Sequence, residues 1–286
     1  MLPPLPYHIP SRPAFAGDGG TLDHGRLREL TQAALGVLAL KGIPRGAAVA
    51  VVGRHGPAAA AWLLALARAG CVAVPLSGNP AEHPARVALV GATLVVRCGW
   101  TDWTLADGPG GEPPTLFARL AAVNHAGLVL FSSGTSGEPK AMVQDLTVLL
   151  EGYASRKPSN LPICILLQFD HIGGFNTLLG ALASGALVVV PRDLTPAAVA
   201  EAIETHRVAV LPASPTFLNL LLASGETSRR DLSSLRLITY GTEPMPPPLL
   251  GRLRDAFPAA RFLQTFGTSE TGIARTESPD PASLFF

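Results

Sequence analysis

Short apolar runs rich in branched residues alternate with segments of helical period along most of the chain. Ala47–Val52 and Thr93–Arg97 have the length and composition of buried strands, whereas Leu27–Leu40 and Ala58–Ala69 repeat apolar residues at helical spacing. A strand, a helix and a second strand in succession form a parallel pair with the helix packed on one face. The alternation therefore predicts an α/β fold with mostly parallel sheets and helices on both faces.

The same alternation extends through the second half of the chain. Further strands are predicted at Cys71–Pro75, Ala126–Phe131, Ile163–Phe169, Ala186–Val190, Val208–Leu211, Leu235–Thr239 and Arg261–Thr265. Further helices are predicted to end at Leu89 and to cover Gly174–Ser184, Pro196–His206, Pro215–Leu222 and Pro246–Phe257. Thr195 is the expected N-cap of the helix that begins at Pro196.

Residues 99–114 interrupt the alternation, because this interval is rich in glycine, proline and aspartate and has little periodicity. We predict a loop here and place the internal boundary at its end. Residues 1–114 then form a first α/β subdomain, and residues 115–286 form a second one that carries the candidate ligand-binding loops. A length of 286 residues, of which 48% are hydrophobic, is sufficient to build cores of this size.

Composition and charge exclude several classes of protein. The 22 basic and 21 acidic residues give a net charge of +1, so no electrostatic field favours nucleic acid or an anionic membrane. Cys71, Cys98 and Cys164 are widely spaced and odd in number, which argues against a disulfide framework and a cysteine metal site. No apolar stretch reaches the length of a membrane span, and the first residues do not resemble a signal peptide. We therefore expect a cytoplasmic protein.

The segment Ser132–Lys140 joins serine, threonine and glycine residues to a lysine directly after a predicted strand. In open α/β sheets, ligands bind beyond the carboxyl ends of the strands. Glycines let main-chain N–H groups surround an anion, hydroxyl groups donate further hydrogen bonds, and Lys140 supplies a charge for phosphate oxygens. The segment is not a Walker A motif, since Lys140 does not directly follow Gly137. The pattern predicts a phosphate-binding loop, and a flexible surface linker is the alternative.

Three further polar segments follow predicted strands, and together with the first they carry a resemblance. Ser132–Lys140, His171–Gly174, Tyr240–Pro244 and Phe266–Glu270 are similar, in this order, to signature loops of the adenylate-forming superfamily. This superfamily comprises acyl-CoA and aryl-CoA synthetases, luciferases and the adenylation domains of peptide synthetases. The resemblance covers most of the chain and is closest to acyl-CoA synthetase-like members.

The resemblance implies the two-subdomain large domain of that superfamily and an ATP-dependent activation of a carboxylic acid. The carboxylate attacks the α-phosphate of ATP, pyrophosphate leaves, and the acyl adenylate passes to a thiol, either CoA or the pantetheine of an acyl-carrier protein. Lys140, His171 and Glu270 are the implied catalytic residues, and Glu270 is also the implied Mg²⁺ ligand. The residues implied to bind ATP are Ser132, Ser133, Gly134, Thr135, Ser136, Gly137, Gly241, Thr242, Glu243, Phe266, Gly267, Thr268 and Ser269.

Some of these positions carry a more specific implication. Thr135, Ser136 and Lys140 would hold the β- and γ-phosphates. Ser269 replaces a threonine that contacts the α-phosphate and keeps its hydroxyl group, while Phe266 replaces a tyrosine that stacks on adenine and keeps the aromatic face. The adenine and acyl pockets would be lined by Gly241, Thr242 and Glu243, and the small Gly241 would let the substrate approach.

His171 corresponds to an aromatic or histidine position beside the acyl pocket. A buried core histidine is the alternative, because Phe169 and Ile172 flank it. Asp170 leaves a second register open, in which it holds the amino group of the substrate as in amino-acid-activating relatives. The segment His171–Gly174 favours the acyl or aryl register.

Members of the superfamily continue past the Phe266–Glu270 loop with a ribose-binding aspartate, a hinge and a small C-terminal domain that carries a second lysine. Neither Asp280 nor Lys157 corresponds to these parts. We therefore expect the chain to lack the C-terminal domain, to be impaired in turnover alone, and to accept that domain in trans. A degenerate nucleotide-binding or scaffold protein without turnover is the alternative.

Other enzyme classes fit poorly. A serine hydrolase needs a Gly-x-Ser-x-Gly turn, and both Gly134–Glu138 and Gly267–Thr271 lack the final glycine. A dehydrogenase needs Gly-x-Gly-x-x-Gly after the first strand, which the sequence does not contain. The histidines are dispersed and form no His-Glu-x-x-His motif, which argues against a metal hydrolase.

Overall fold

The computed structural model of the chain describes residues 10–133, 139–153, 156–241, 243–265, 267–268 and 272–273. Its strands are β1 (Pro13–Gly17), β2 (Gly20–Asp23), β3 (Ala48–Val52), β4 (Val72–Leu76), β5 (Leu94–Cys98), β6 (Trp103–Asp107), β7 (Gly127–Ser133), β8 (Pro139–Asp145), β9 (Ile163–Cys164), β10 (Val188–Val189), β11 (Val210–Ala213), β12 (Leu237–Tyr240), β13 (Arg261–Gln264), β14 (Gly267–Thr268) and β15 (Gly272–Ile273). Its α-helices are α1 (His24–Leu40), α2 (Pro57–Ala69), α3 (His83–Leu89), α4 (Thr115–Ala122), α5 (Leu146–Glu151), α6 (Ile172–Ser184), α7 (Pro196–His206), α8 (Pro215–Ala223), α9 (Glu226–Arg229) and α10 (Pro247–Ala256).

The chain forms two compact units that are discontinuous in sequence. The first unit consists of Met1–Arg12, Leu22–Lys157 and Gln168–His171, and the second consists of Pro13–Thr21, Pro158–Leu167 and Ile172–Phe286. The predicted boundary after residue 114 lies inside the first unit, and the interval 115–286 contributes to both units. The interval is divided in this way because β7 pairs with β4, and this pairing brings residues after 114 into the sheet of the first unit.

The first unit contains a six-stranded sheet with the order β6-β5-β3-β4-β7-β8. The four central strands run parallel, and β6 and β8 are antiparallel strands at the two edges. Ala50, Val74 and Val129 of three central strands share one buried core with Phe117 of α4. The parallel sheet that the alternation predicts is confirmed here.

The interval 99–114 contains a strand, so the prediction that it is a loop is wrong. β6 pairs antiparallel with β5, and Val95 lies opposite Ala106. Four of the five residues of β6 are exposed, so no apolar alternation marks this edge strand in the sequence. Trp103 at its start packs edge-on against the buried Trp62, with 5.6 Å between the ring centroids.

The second unit is built on a sheet with the order β13-β12-β11-β9-β10-β1-β2. The strands from β13 to β1 in this order are parallel to their neighbours. Val199 and Ile203 of α7 pack in one buried core with Leu211 and Ile238 of the sheet. β9 ends at Cys164, so the strand predicted to run to Phe169 is too long, because the chain forms a turn before α6.

Local signals explain the best-predicted helix. The side chain of Thr195 accepts a hydrogen bond from the Ala198 N–H, with 3.3 Å between the oxygen and nitrogen, and Pro196 is the first helical residue of α7. An oxygen at the N-cap satisfies one of the free N–H groups of the first turn, and proline needs no partner there. The predicted start and end of this helix are both confirmed.

All three cysteines are free thiols, of which Cys71 and Cys164 are buried and Cys98 is half-buried. Burial raises the pKa of Cys71 to about 11 and the pKa values of Cys98 and Cys164 to about 12. The thiolate is the reactive form of cysteine, so these side chains are inert near neutral pH. Within the described part of the chain, no helix has the length and apolar character that crossing a membrane requires.

Candidate nucleotide and acid site

The candidate phosphate-binding loop connects the two strands of a hairpin. β7 carries the buried residues Leu128 and Leu130 and is followed by β8, which runs antiparallel to it. In the register of the pair, Ser132 lies opposite Lys140. Lys140 therefore belongs to the returning strand, where it is exposed to solvent. The hairpin fixes the backbone of the lysine relative to the strand that enters the loop.

Most of the loop itself lies outside the described residues. This applies to four residues with predicted phosphate contacts, namely Gly134, Thr135, Ser136 and Gly137. For Ser132 and Ser133 the backbone in β7 is described. The structure thus defines both ends of the loop, and the phosphate contacts stay a prediction.

His171 lies at the end of a tight turn in the first unit. Its N–H donates a hydrogen bond to the carbonyl oxygen of Gln168, with 3.2 Å between nitrogen and oxygen, so residues 168–171 form one turn. The two middle residues are buried, with 1% of Phe169 and 5% of Asp170 exposed, whereas His171 is exposed. The alternative of a core histidine is therefore wrong, because the burial that the flanking apolar residue indicates belongs to Phe169.

The carboxylate of Asp170 is held by the segment that follows β4. Its Oδ2 accepts a hydrogen bond from the Ser77 N–H at 2.9 Å, and its Oδ1 accepts one from the Ser77 hydroxyl group. Nη1 of Arg86 in α3 lies 3.5 Å from Oδ2 and forms an ion pair with it. Both carboxylate oxygens thus have partners within the protein.

Arg86 also contacts the strand that enters the candidate loop. Its guanidinium carbon lies 5.3 Å from the ring centroid of Phe131, which is the residue before Ser132. A second carboxylate, that of Glu82, pairs with Nη2 of the same guanidinium. A cation over an aromatic face is attracted by the ring quadrupole, so the contact holds Arg86 against β7.

Two candidate residues of the second unit follow β12. The Thr265 N–H donates a hydrogen bond to the Tyr240 carbonyl oxygen at 2.7 Å, which draws the ends of β12 and β13 together. A Cβ atom on Gly241 would lie 2.6 Å from the Thr265 carbonyl oxygen. Position 241 therefore requires glycine, because a side chain there would collide with the backbone of Thr265. A close approach of substrate to it stays a prediction.

Glu243 is half-buried, and its Oε2 accepts a hydrogen bond from the hydroxyl group of Thr216 at 2.5 Å. Thr216 lies in the first turn of α8, whose N-cap Ser214 follows β11. Glu243, which follows β12, thus contacts a polar residue that follows β11, the neighbouring strand. The carboxylate has a defined orientation because a hydroxyl group binds it.

The last predicted loop is described only in part. Gly267 and Thr268 form β14, in which Thr268 lies opposite Gly272 of β15. Thr242, Phe266, Ser269 and Glu270 lie outside the described residues. Their contacts with adenine, the α-phosphate and Mg²⁺ stay predictions.

Among the described residues, no three side chains of His, Cys, Asp or Glu converge to hold a metal ion. A Mg²⁺ ion bound by one protein carboxylate together with nucleotide phosphates needs no such cluster. The donor set expected from the sequence, a single carboxylate of Glu270 with ATP, is of this kind.

Sequence reasoning missed several polar residues of these sites. Ser77 and Thr265 directly follow β4 and β13, where open α/β sheets bind ligands. The predicted strands ended at Pro75 and included Thr265, so errors of one residue in the strand ends hid both positions. Arg86 gives no comparable signal, since it is one basic residue on a short helix. Its importance is visible only from its contacts with Asp170 and Phe131.

Solved structures resemble this chain over nearly its whole length. The inhibitor-bound N-terminal domain of FACL13 from Mycobacterium tuberculosis matches with a TM-score of 0.75 and 18% identity, covering 93% of this chain and 74% of that one. The N-terminal subdomain of Klebsiella oxytoca NpsA, in complex with 3-hydroxyanthranilyl-AMSN, matches with a TM-score of 0.75 and 21% identity, covering 94% and 72%. These similarities define the fold as that of the large domain of adenylate-forming enzymes.

The chain belongs to the AMP-binding enzyme family, whose model matches residues 118–284. Among curated proteins, it is 30% identical to the phenyloxazoline synthase MbtB of Mycolicibacterium paratuberculosis, over 93% of this chain and 24% of that protein. It is 28% identical to 4-coumarate–CoA ligase 5 of Oryza sativa subsp. japonica, over 89% of this chain and 53% of that protein. The chain thus spans about a quarter to a half of the length of these relatives.

Proposed function

We propose that this protein activates a carboxylic acid with ATP, forming an acyl adenylate and pyrophosphate. The observation that carries the proposal is the family match over residues 118–284, which includes all four polar segments that resemble the signature loops of adenylate-forming enzymes. In the reaction, a carboxylate oxygen of the acid forms a bond to the α-phosphorus of ATP. The bond between that phosphorus and the bridging oxygen breaks, and the electron pair leaves with pyrophosphate.

The hairpin of β7 and β8 holds the leaving pyrophosphate. Lys140 is exposed on β8 and is available to neutralise charge on the β- and γ-phosphates, while hydroxyl groups of Thr135 and Ser136 donate hydrogen bonds to them. Ser132, Ser133, Gly134 and Gly137 supply the main-chain donors of the loop. Most of the catalysis in such a displacement comes from positioning and charge neutralisation, which these groups supply.

The segments of the second unit bind the nucleoside and the α-phosphate. Gly241, Thr242 and Glu243 line the adenine pocket, Phe266 stacks on the base, and Gly267, Thr268 and Ser269 approach the α-phosphate. Glu270 is the Mg²⁺ ligand. The ion neutralises phosphate charge when it is bound together with ATP.

The acid that the protein activates is an acyl or aryl acid without an α-amino group. The support comes from Asp170, which is 5% exposed and whose carboxylate is already bound by Ser77 and Arg86. A substrate ammonium group would have to displace a permanently charged guanidinium group to reach it. His171, which is exposed beside Asp170, is the residue that contacts the acid. The coumarate in the name of one relative makes aryl acids the first compounds to test.

The thiol acceptor is CoA or the pantetheine of an acyl-carrier protein. The name 4-coumarate–CoA ligase supports the first acceptor, and an acyl-carrier protein is the partner that the second acceptor implies. The three free cysteines support a reducing compartment such as the cytoplasm.

The role of Lys140 is tested by replacing it and by replacing a matched lysine. Lys140→Ala removes a charge-assisted hydrogen bond worth about 1.5 to 3 kcal/mol, so we expect MgATP to bind about 10- to 150-fold more weakly. Lys157 is an exposed lysine in the same unit, and Lys157→Ala is expected to change the affinity less than twofold. Isothermal titration calorimetry of both variants measures the difference.

Two outcomes of this titration would contradict the proposal. If the unaltered protein bound no MgATP, the nucleotide site would be rejected. If it bound MgATP but Lys140→Ala and Lys157→Ala had equal affinities, the loop would be a surface linker. Binding of MgATP without acid-dependent release of pyrophosphate, over a panel of aryl and acyl acids, would favour the scaffold alternative.

A further inference from the structure

We propose that Asp170 and Arg86 are positioning residues that fix the His171 turn relative to the phosphate-binding hairpin. This inference deepens the proposed function and rests on it, because the position of His171 affects the reaction only if the protein activates an acid. Neither side chain is expected to touch the substrate. They act by joining two segments that carry the reacting groups.

Two buried side chains hold the His171 turn in place. The rings of Phe169 and His55 make a T-shaped contact, with 5.3 Å between the centroids, which packs the turn against the first unit. Asp170 binds the N–H and the hydroxyl group of Ser77 with its two oxygens. A carboxylate with two fixed donors defines both the distance and the rotation of the turn that ends at His171.

Arg86 neutralises the charge of the buried Asp170 carboxylate. The side chain of Asp170 is only 6% exposed, and the side chain of Arg86 is 19% exposed. A charged group with so little access to water requires a partner of opposite charge. The Arg86 guanidinium, 3.5 Å from Oδ2, supplies it, so the geometry of the turn depends on the position of Arg86.

The same guanidinium reaches the base of the hairpin. It lies over the ring of Phe131, which is 5% exposed and lies in β7 two residues before the end of the strand. β4 and β7 are parallel neighbours, so their carboxyl ends lie side by side at the edge where ligands bind in open α/β sheets. Ser77, Arg86, Phe131 and Asp170 thus connect the His171 turn to the phosphate-binding hairpin within one unit.

The planar shape of arginine suits this arrangement. Nη1 of the guanidinium pairs with Asp170 and Nη2 pairs with Glu82, while the central carbon lies over the ring of Phe131. A lysine in its place keeps the charge but has neither the planar fork nor the stacking surface. The network therefore predicts that Arg86→Lys recovers only part of the function that Arg86→Met loses.

The test uses three variants and one matched control. Asp170→Asn keeps the shape of the side chain but removes its charge, and Arg86→Met and Arg86→Lys separate charge from shape. Glu226→Gln is the control, because Glu226 is also a buried carboxylate that pairs with arginine, but it lies in the second unit. Circular dichroism selects the variants that retain the fold, and Asp170→Asn alone suffices if Arg86→Met does not fold.

The first measurement is the NMR signal of the His171 imidazole group, which is assigned from its loss in His171→Gln. We expect Asp170→Asn and Arg86→Met to shift this signal, Arg86→Lys to shift it less, and Glu226→Gln to leave it unchanged. An unchanged His171 signal in folded Asp170→Asn would overturn the proposal. This measurement does not require activity, so it separates the proposal from the proposed function.

The second measurement is acid-dependent exchange of labelled pyrophosphate into ATP. We expect Asp170→Asn and Arg86→Met to lower kcat about 10- to 100-fold, since small displacements of reacting groups have effects of this size, with KM for ATP within threefold. If these variants raised the KM for ATP and left kcat unchanged, the proposal would be overturned. Loss of activity confined to acids with an α-amino group would show that Asp170 binds substrate. If the unaltered protein showed no exchange with any acid, the proposed function would fail, and the His171 signal would still decide this inference.

Discussion

Gly241→Ala is expected to destabilise the second unit, because the added methyl group would collide with Thr265. The added Cβ atom would lie 2.6 Å from the carbonyl oxygen and 2.9 Å from Oγ1 of Thr265. Carbon and oxygen atoms that are not bonded do not approach so closely, so the ends of β12 and β13 must separate. Thr265 cannot easily move, since its N–H and its hydroxyl group both donate to the Tyr240 carbonyl oxygen.

The magnitude follows from these contacts. Forcing an extra carbon into a packed site costs about 1 to 3 kcal/mol, and loss of one hydrogen bond adds about 0.5 to 1.5 kcal/mol. We therefore expect the free energy of unfolding to fall by about 1.5 to 4.5 kcal/mol. Urea unfolding monitored by circular dichroism measures it.

Gly251→Ala is the matched control for this substitution. Gly251 is exposed within α10, and a Cβ atom there would have nothing within 4 Å. Alanine in an exposed helix is more favourable than glycine by about 0.5 to 1 kcal/mol, so Gly251→Ala should stabilise the same unit. Equal effects of the two substitutions, or a Gly241→Ala variant as stable as the unaltered protein, would refute the argument from Thr265.

Two other predictions concern buried titratable groups. Burial, with a further contribution from the Arg12 charge, lowers the pKa of His24, so the unfolded chain takes up a proton that the folded chain does not. The free energy of unfolding should therefore fall as the pH decreases below the ordinary histidine pKa of about 6.5, and this fall should be smaller in His24→Gln. Equal pH dependence of the two proteins in urea titrations would contradict it. The raised pKa values of the three cysteines predict slow labelling by a disulfide reagent at pH 8 in the folded protein and fast labelling in urea. Fast labelling of the folded protein at Cys71 or Cys164 would be inconsistent with the burial of these two residues.

Sequence patterns predicted the elements whose signals are local. The helix Pro196–His206 has its cap, its first-turn proline and its apolar spacing in consecutive residues, and both ends were predictable. β6 was not, because most of its side chains face solvent and its hydrogen bonds come from β5. An edge strand of this kind is defined by its neighbour rather than by its own composition.

The candidate site was predictable as a set of segments but not as a set of contacts. The order of the four polar segments identified the superfamily, and the hairpin places Lys140 opposite Ser132. The partners of Asp170 could not be predicted, because Ser77 lies 93 residues away in sequence. Which charge neutralises a buried carboxylate depends on how distant segments pack, and no local pattern records that packing.

The most direct test of the proposed activity follows one oxygen atom. The protein is incubated at stoichiometric concentration with ATP, Mg²⁺, CoA and a carboxylic acid whose carboxylate is labelled with ¹⁸O. If the carboxylate attacks the α-phosphorus and the acyl group then moves to the thiol, one labelled oxygen remains on AMP. We predict AMP that carries a single ¹⁸O, in an amount that depends on the acid. Unlabelled AMP, or labelled inorganic phosphate together with ADP, would contradict acid activation by adenylation.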